Sequence, residues 1–250
     1  MIEDKKILVL GDLAIDRYHW GRCRDFNPEG PFPIMDLVKE EDRMGMAGNV
    51  MHNLQAFLPG WVDFISGSET SIKHRYVDLN SNRCLLRLDQ DRHSEPITDI
   101  GERDDYDAII ISDYNKGAIN LDVIKRVRAK YRGKIFIDTK IHDLAQLEGC
   151  TIKINSKEYS QRTSDHSDII VTLGRQGALY QNKIYEPEEV DAFDVCGAGD
   201  TFLAALVAGW CKYDDMEQAI KLALKASAIA VQHIGTYALT AEDVAKICGS

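Results

Sequence analysis

Five short apolar runs, each closing on a polar residue, constrain this chain more than any other feature. Lys6-Ile7-Leu8-Val9-Leu10 ends in Gly11-Asp12, Ala108-Ile109-Ile110-Ile111 in Ser112-Asp113, and Lys134-Ile135-Phe136-Ile137 in Asp138. Thr151-Ile152-Lys153-Ile154 ends in Asn155, and Ile169-Ile170-Val171 in Thr172-Leu173-Gly174. Runs with so little polar alternation are what strands covered on both faces require. Helical stretches stand between them, such as 121–132 with apolar residues at 121, 124, 127 and 131. The alternation predicts a doubly wound α/β fold, a mostly parallel sheet flanked by helices. Ligands of such sheets gather beyond the carboxyl ends of the strands. One Asp after a strand is usually a turn residue, but five polar ends in one chain direct chemistry to a single edge.

Two segments break the alternation. Residues 17–44 hold a proline-rich turn, Asn27 to Pro33, followed by Ile34 to Val38 as an edge strand. Residues 71–92 read as two strands around Asn80-Ser81-Asn82, a hairpin-type turn. Together they predict a small β sheet standing off the main one as a lid, with a helix from Ala47 to Leu58 between its parts. A second apolar helix is expected from Met216 to His233, and its end at 232–236 returns to a loop able to flank a flat ring.

At 250 residues and 44% hydrophobic content the chain can bury a full core as one domain. Its net charge of −10 argues against general nucleic-acid binding. No apolar run approaches membrane-spanning length and no signal-peptide pattern precedes the first strand, so a cytoplasmic protein without membrane contact is expected. The six scattered cysteines form no CxxC, and read as reduced thiols.

The chemistry concentrates at Phe193-Asp194-Val195-Cys196-Gly197-Ala198-Gly199-Asp200-Thr201-Phe202, from which an apolar helix runs on. Glycines at a helix start let backbone N–H groups approach an anion at the positive end of the helix dipole. Asp200 stands at the same place with a carboxylate able to take a proton from a hydroxyl. A cradle with a base beside it suits phosphoryl transfer to an alcohol. The competing reading is a glycine-rich turn whose Asp caps a helix. On the lid strands this acidic chain places Lys73, Arg75, Arg83 and Arg87. They read either as groups closing over a bound anion or as protection of exposed sheet edges.

Asp194-Val195-Cys196-Gly197-Ala198-Gly199-Asp200-Thr201-Phe202 resembles the D-x-x-G-A-G-D-x-F signature of the PfkB/ribokinase family of carbohydrate kinases, and the likeness runs through nearly the whole chain. Within that family the N-terminal half is most similar to the kinases of D-glycero-D-manno-heptose 7-phosphate. The stretches that carry this are Gly11-Asp12 to Asp16-Arg17-Tyr18, Pro28-Glu29-Gly30-Pro31, Arg43 with Gly45, Asn49 with Asn53, Leu85 to Asp89, and Ser112-Asp113-Tyr114-Asn115-Lys116-Gly117. The resemblance implies one ribokinase-like kinase domain over 1–250. Asp200 is then the base for the sugar's anomeric hydroxyl, with the amides of Gly197, Ala198 and Gly199 stabilising charge on the transferred phosphoryl group. Asp12, Asp16, Gly45, Asn49, Lys73, Arg75, Arg87 and Asp113 are implied for the sugar phosphate. Lys140, Asn155, Glu158, Thr172, Gly174, Gly177 and His233 are implied for ATP. Glu158, with Asn155 acting through water, is implied for Mg²⁺, and a monovalent cation is an open addition. Lys140 reads equally well as a solvated surface lysine. Pairing of two copies through their lids is a further expectation.

The chain departs from the pattern at three places. Met46 stands at the second position of the family's glycine pair. The segments 66–73 and 159–168 are shorter than in relatives, and the second is expected to lack a helix. No nucleotidyltransferase motif of the HxGH type occurs. Another sugar or a nucleoside as acceptor, or a family member that binds without turnover, are the alternatives these departures leave open. Cys196 inside the turn raises the expectation that oxidation disables the site.

Overall fold

A computed structural model describes residues 5–101 and 105–249 of the chain. The predicted strands form the centre of one sheet: β1 (Ile7–Phe26), β5 (Ala108–Ser112), β6 (Lys134–Asp138), β7 (Thr151–Asn155) and β8 (Ile169–Thr172). With β2 (Pro33–Met46), β3 (Val62–Asp78), β4 (Arg83–Gln90), β9 (Ala178–Tyr180) and β10 (Lys183–Tyr185), the order is β10-β9-β8-β7-β6-β5-β1-β3-β4, and β2 also pairs with β1. From β8 to β3 every neighbouring pair is parallel, while β9, β10, β4 and β2 join antiparallel.

Each central strand feeds both layers. Ile7, Val9 and Ile110 pack with α1 (Ala47–Phe57), α4 (Ala198–Tyr213), α5 (Met216–Ala230) and α6 (Ala241–Cys248). Leu8, Leu10, Ile109 and Ile111 pack with α2 (Leu121–Lys130) on the other face. Full burial of such a side chain contributes roughly 1.5–3 kcal/mol, which explains why these runs lack polar residues. Helix α4 is buried along Phe202–Gly209, because α1 covers one side and α5 the other. That placement fixes its first turn beside the carboxyl ends of the strands.

The lid differs from the separate sheet expected at 17–44 and 71–92. β1 and β3 are single long strands that leave the core and continue side by side into the lid, where the order is β2-β1-β3-β4. The joint is at Gly11. Gly11 pairs with Ser66 and Leu13 with Thr70, so two steps along β1 match four along β3. A Cβ on Gly11 would lie 2.2 Å from the Ser112 carbonyl oxygen. The core half of β3, the short β9 and β10, and α6 are elements beyond those predicted. Helix α5 stops at Ala230, three residues before the expected end at His233. The short α3 (Ser156–Gln161) follows Asn155, and residues 162–168 run to β8 without a further helix.

Candidate active site

Gly197 opens α4 in the left-handed region, at φ +75°, and a Cβ there would approach Asn49 Nδ2 to 2.7 Å. Only glycine fits this position without strain. No side chain caps the helix, which leaves its positive end facing the site. Within the turn, the Ala198 N–H donates to the Val195 carbonyl at 3.3 Å. Asp194 braces it from behind: one carboxylate oxygen accepts from Cys196 N and the other from Gly235 N, tying the turn to the loop after α5.

Asp200 lies in the first turn of α4 and is 4% exposed. Asn49 Nδ2, from α1, donates to its Oδ2 at 3.1 Å, and the Tyr114 hydroxyl donates to its Oδ1. Burial pushes the carboxyl up to about 6, against the opposing hydrogen bonds from Tyr114 and Asn49 and the nearby Lys153 charge. A carboxylate with that proton affinity is matched to accepting and releasing a proton near neutral pH.

The lid turns one face towards this point. Strand register puts Asp16 beside Lys73, and Arg75 opposite Arg87. Asp16 is buried and accepts from Arg75 Nε at 2.9 Å, while a Cβ on Gly45 would come within 2.5 Å of its other oxygen. Gly45 therefore makes room for the Asp16 carboxylate. Lys73 reaches over the Tyr114 ring, 5.9 Å from its centroid. Arg87 is exposed and doubly bonded to Asp89. Like charges opposite one another across a sheet are unfavourable unless countered, and here Asp16 counters Arg75 while Asp89 counters Arg87.

Two residues assigned to the sugar have another part here. Both Asp12 oxygens accept backbone N–H groups of a single loop, from Tyr114, Lys116 and Ala118. Asp113 accepts from the Thr139 hydroxyl and from Asn115 N, and burial raises its carboxyl above the ordinary aspartate range. These carboxylates build the loop at 113–118 beneath the lid.

On the nucleotide side, Asn155 and Glu158 form a reciprocal capping box at the start of α3. Glu158 also pairs with the Lys140 ammonium, which lies 5.2 Å from the Tyr114 ring centroid. Lys140 is thus not the freely solvated lysine of the competing reading. Thr172 ends β8, and Gly174 and Gly177, at φ +60° and +93°, close the tight turn that follows. His233 is exposed and stacks on Tyr237 at 3.7 Å between centroids, presenting a flat surface at the loop after α5.

Two functional candidates escaped the sequence reading. Tyr114 contacts the base across 86 positions of chain, so no local pattern exposes it. Lys153 is buried inside β7, where its ammonium bonds Asp138 at 2.6 Å and lies 2.9 Å from the place a Cβ on Gly199 would take. A lysine within an otherwise apolar buried run was the available signal. Cys196, whose oxidation is expected to disable the site, is held largely as the thiol. Burial pushes its thiol up to about 11, which leaves little of the reactive thiolate.

Residues 139–243 match the family described as pfkB family carbohydrate kinase. Across 96% of the chain the sequence is 29% identical to the bifunctional protein HldE of a Nitratiruptor species, covering 64% of that protein. Against the bifunctional protein HldE of Campylobacter curvus the identity is 29% over 94% of the chain and 63% of the relative. The chain spans a little under two thirds of the length of these curated relatives. Among solved structures, a ribokinase from Thermotoga maritima superposes with a TM-score of 0.70 at 15% identity, covering 98% of this chain and all of that one. Phosphofructokinase-2 from Escherichia coli gives a TM-score of 0.71 at 14% identity over 98% of each chain. These likenesses establish the ribokinase-like fold.

Proposed function

We propose that this chain, which carries a pfkB family domain over residues 139–243, is an ATP-dependent carbohydrate kinase acting on a sugar phosphate. The observation that carries the reading is the Asp200 carboxyl, poised near 6 at an uncapped helix start beneath a lid face bearing Lys73, Arg75 and Arg87. In the reaction Asp200 takes the proton of the sugar hydroxyl as that oxygen attacks the γ-phosphorus of ATP. The phosphoryl–oxygen bond to ADP breaks, and ADP leaves with the bonding electron pair. The amides of Gly197 and Gly199 and the helix dipole stabilise the negative charge that builds on the transferred group, the Ala198 N–H being turned to the Val195 carbonyl. The lid excludes water, the competing acceptor.

Magnesium fits this site in one way. The capping box and Lys140 engage the oxygens of Glu158, so Glu158, with Asn155 beside it, would hold the ion only if the carboxylate exchanged its Lys140 partner. When bound, it supplies charge neutralisation of the phosphates. Lys140 would remain available to the same anion through its positive charge.

The resemblance of Ser112-Asp113-Tyr114-Asn115-Lys116-Gly117 and of the lid stretches to heptose kinases supports D-glycero-D-manno-heptose 7-phosphate as acceptor at its anomeric hydroxyl. Arg75 and Arg87 suit the phosphate end. Asp16 and Asn49 suit the hydroxyls. ADP release with Mg·ATP against this heptose phosphate, sedoheptulose 7-phosphate, fructose 6-phosphate, ribose and adenosine tests the assignment. Turnover confined to the manno-heptose phosphate is expected. Turnover with another acceptor keeps the mechanism and discards the heptose. Silence with ATP still bound favours a family member that binds without catalysis, the reading to which Met46 at the lid hinge lends weight. We further read the lid as the contact between two copies of the chain.

A further inference from the structure

We propose that Tyr114 is a positioning residue for the base: its phenol hydroxyl holds one oxygen of Asp200, and its ring lies near the ammonium groups of both Lys73 of the lid and Lys140 of the nucleotide side. The inference rests on Asp200 being the base.

The loop that carries Tyr114 is fixed from several directions. Asp12 gathers three of its N–H groups, the first being that of Tyr114 itself at 2.8 Å. Asn115 and Gly117 adopt φ of +56° and +98°, and a Cβ on Gly117 would lie 2.1 Å from the Ser94 carbonyl oxygen. Such a loop does not yield easily, so the phenol is delivered to one place. The direction of its hydrogen bond is equally fixed. Burial and the neighbouring Asp200 and Asp138 carboxylates keep the phenol proton on well above the ordinary tyrosine range, and the hydroxyl therefore donates.

A donor on one carboxylate oxygen orients the carboxylate plane and favours its ionised form. Each oxygen retains a lone pair for the incoming sugar hydroxyl. The groups that set this proton affinity come from four elements: Tyr114 from its loop, Asn49 from α1, Lys153 from β7 and Asp138 from β6, with the neutral Cys196 thiol of the turn before α4 nearby. Among them Tyr114 alone is gripped by both a lid cation and a nucleotide-side cation. Its placement makes the base respond to whether the lid and nucleotide sides are in register.

Tyr114→Phe keeps the ring and both cation contacts while deleting the hydrogen bond. The readout is the carboxyl ¹³C titration of Asp200 in ligand-free protein, assigned by its loss in Asp200→Asn, alongside the pH profile of kcat/KM. In Tyr114→Phe the titration and the acid limb should both move up by about one pH unit, the size a single hydrogen bond to a charged acceptor gives, with kcat/KM about tenfold lower. Placing 3-fluorotyrosine at 114, a stronger donor, should move the titration down. A titration unmoved by either change overturns the proposal. Absence of turnover with every acceptor, in the wild type as well, defeats the base assignment instead, and the carboxyl titration still reports whether Tyr114 governs Asp200.

Discussion

Burial raises the Asp200 carboxyl to about 6, against 3.8 for an unperturbed aspartate. Between those values the folded protein holds a proton that the unfolded chain has released. Stability therefore falls as pH rises from about 4 to 6, and remains lowered above 6 by about 3 kcal/mol. The same carboxylate that accepts the sugar proton thus works against the fold. Asp200→Asn should lose at least about a hundredfold in kcat while nucleotide affinity is kept. Its melting temperature should match or exceed that of the wild type at pH 7.5, an advantage that vanishes by pH 4. Retained turnover, or a variant less stable at pH 7.5, would contradict the assignment. Cys196 invites a second test at this scale. With its thiol pushed up to about 11, it should resist iodoacetamide and mild peroxide at pH 7.5 while the exposed Cys84 is modified, as peptide mass spectrometry would show.

Where β2 meets α1, Met46 takes φ +55° and ψ −134°, a conformation that favours glycine, while its side chain is 3% exposed. Backbone strain of roughly 1–3 kcal/mol is thus held against the burial of a methionine. The usual order of small substitutions should reverse. Met46→Ala loses the side chain and keeps the strain, whereas Met46→Gly loses the side chain and relieves it. Chemical denaturation should find the glycine variant more stable than the alanine variant by about 1 kcal/mol; the opposite order would show that the hinge is unstrained. This junction also marks how far the sequence could be read. The five apolar runs announced the core strands because burial on both faces leaves no other composition. The lid half of β1 was harder, since Asp12, Asp16 and His19 are buried polar residues that blur the alternation of a strand. Helix α4 and its glycine turn were legible from local pattern. The Asp12 loop, the Lys153–Asp138 pair and the Tyr114 contact were not, because each depends on partners brought together by the sheet order.

Across the whole molecule, the lid is the part that its own fold leaves unfinished. Among the described residues β2 pairs only with β1, and β4 only with β3, so both lid edges carry unpaired backbone groups. Every residue of β4 is exposed, including Leu86 and Leu88 at 56% and 44%, and Leu37 and Val38 of β2 are each 56% exposed. Leu86 and Leu88 pair with Tyr76 and His74, whereas Arg87 pairs with Arg75. The apolar pair therefore shares the face away from Asp200, and a second copy can cover it without blocking the site. In a monomer this surface stays in water at a cost of ~25 cal/mol per Å² of apolar area. Sedimentation equilibrium of the wild type at micromolar concentration should give the mass of a dimer. Leu86→Lys combined with Leu88→Glu should give the monomer with its circular dichroism unchanged. If the lid must be braced by its partner to close, ADP release per chain by that variant should also fall, chiefly through KM for the sugar, whose phosphate end the lid cations are proposed to hold. A monomeric wild type at tens of micromolar would remove the pairing. A dimer that survives both charges would move it to another face.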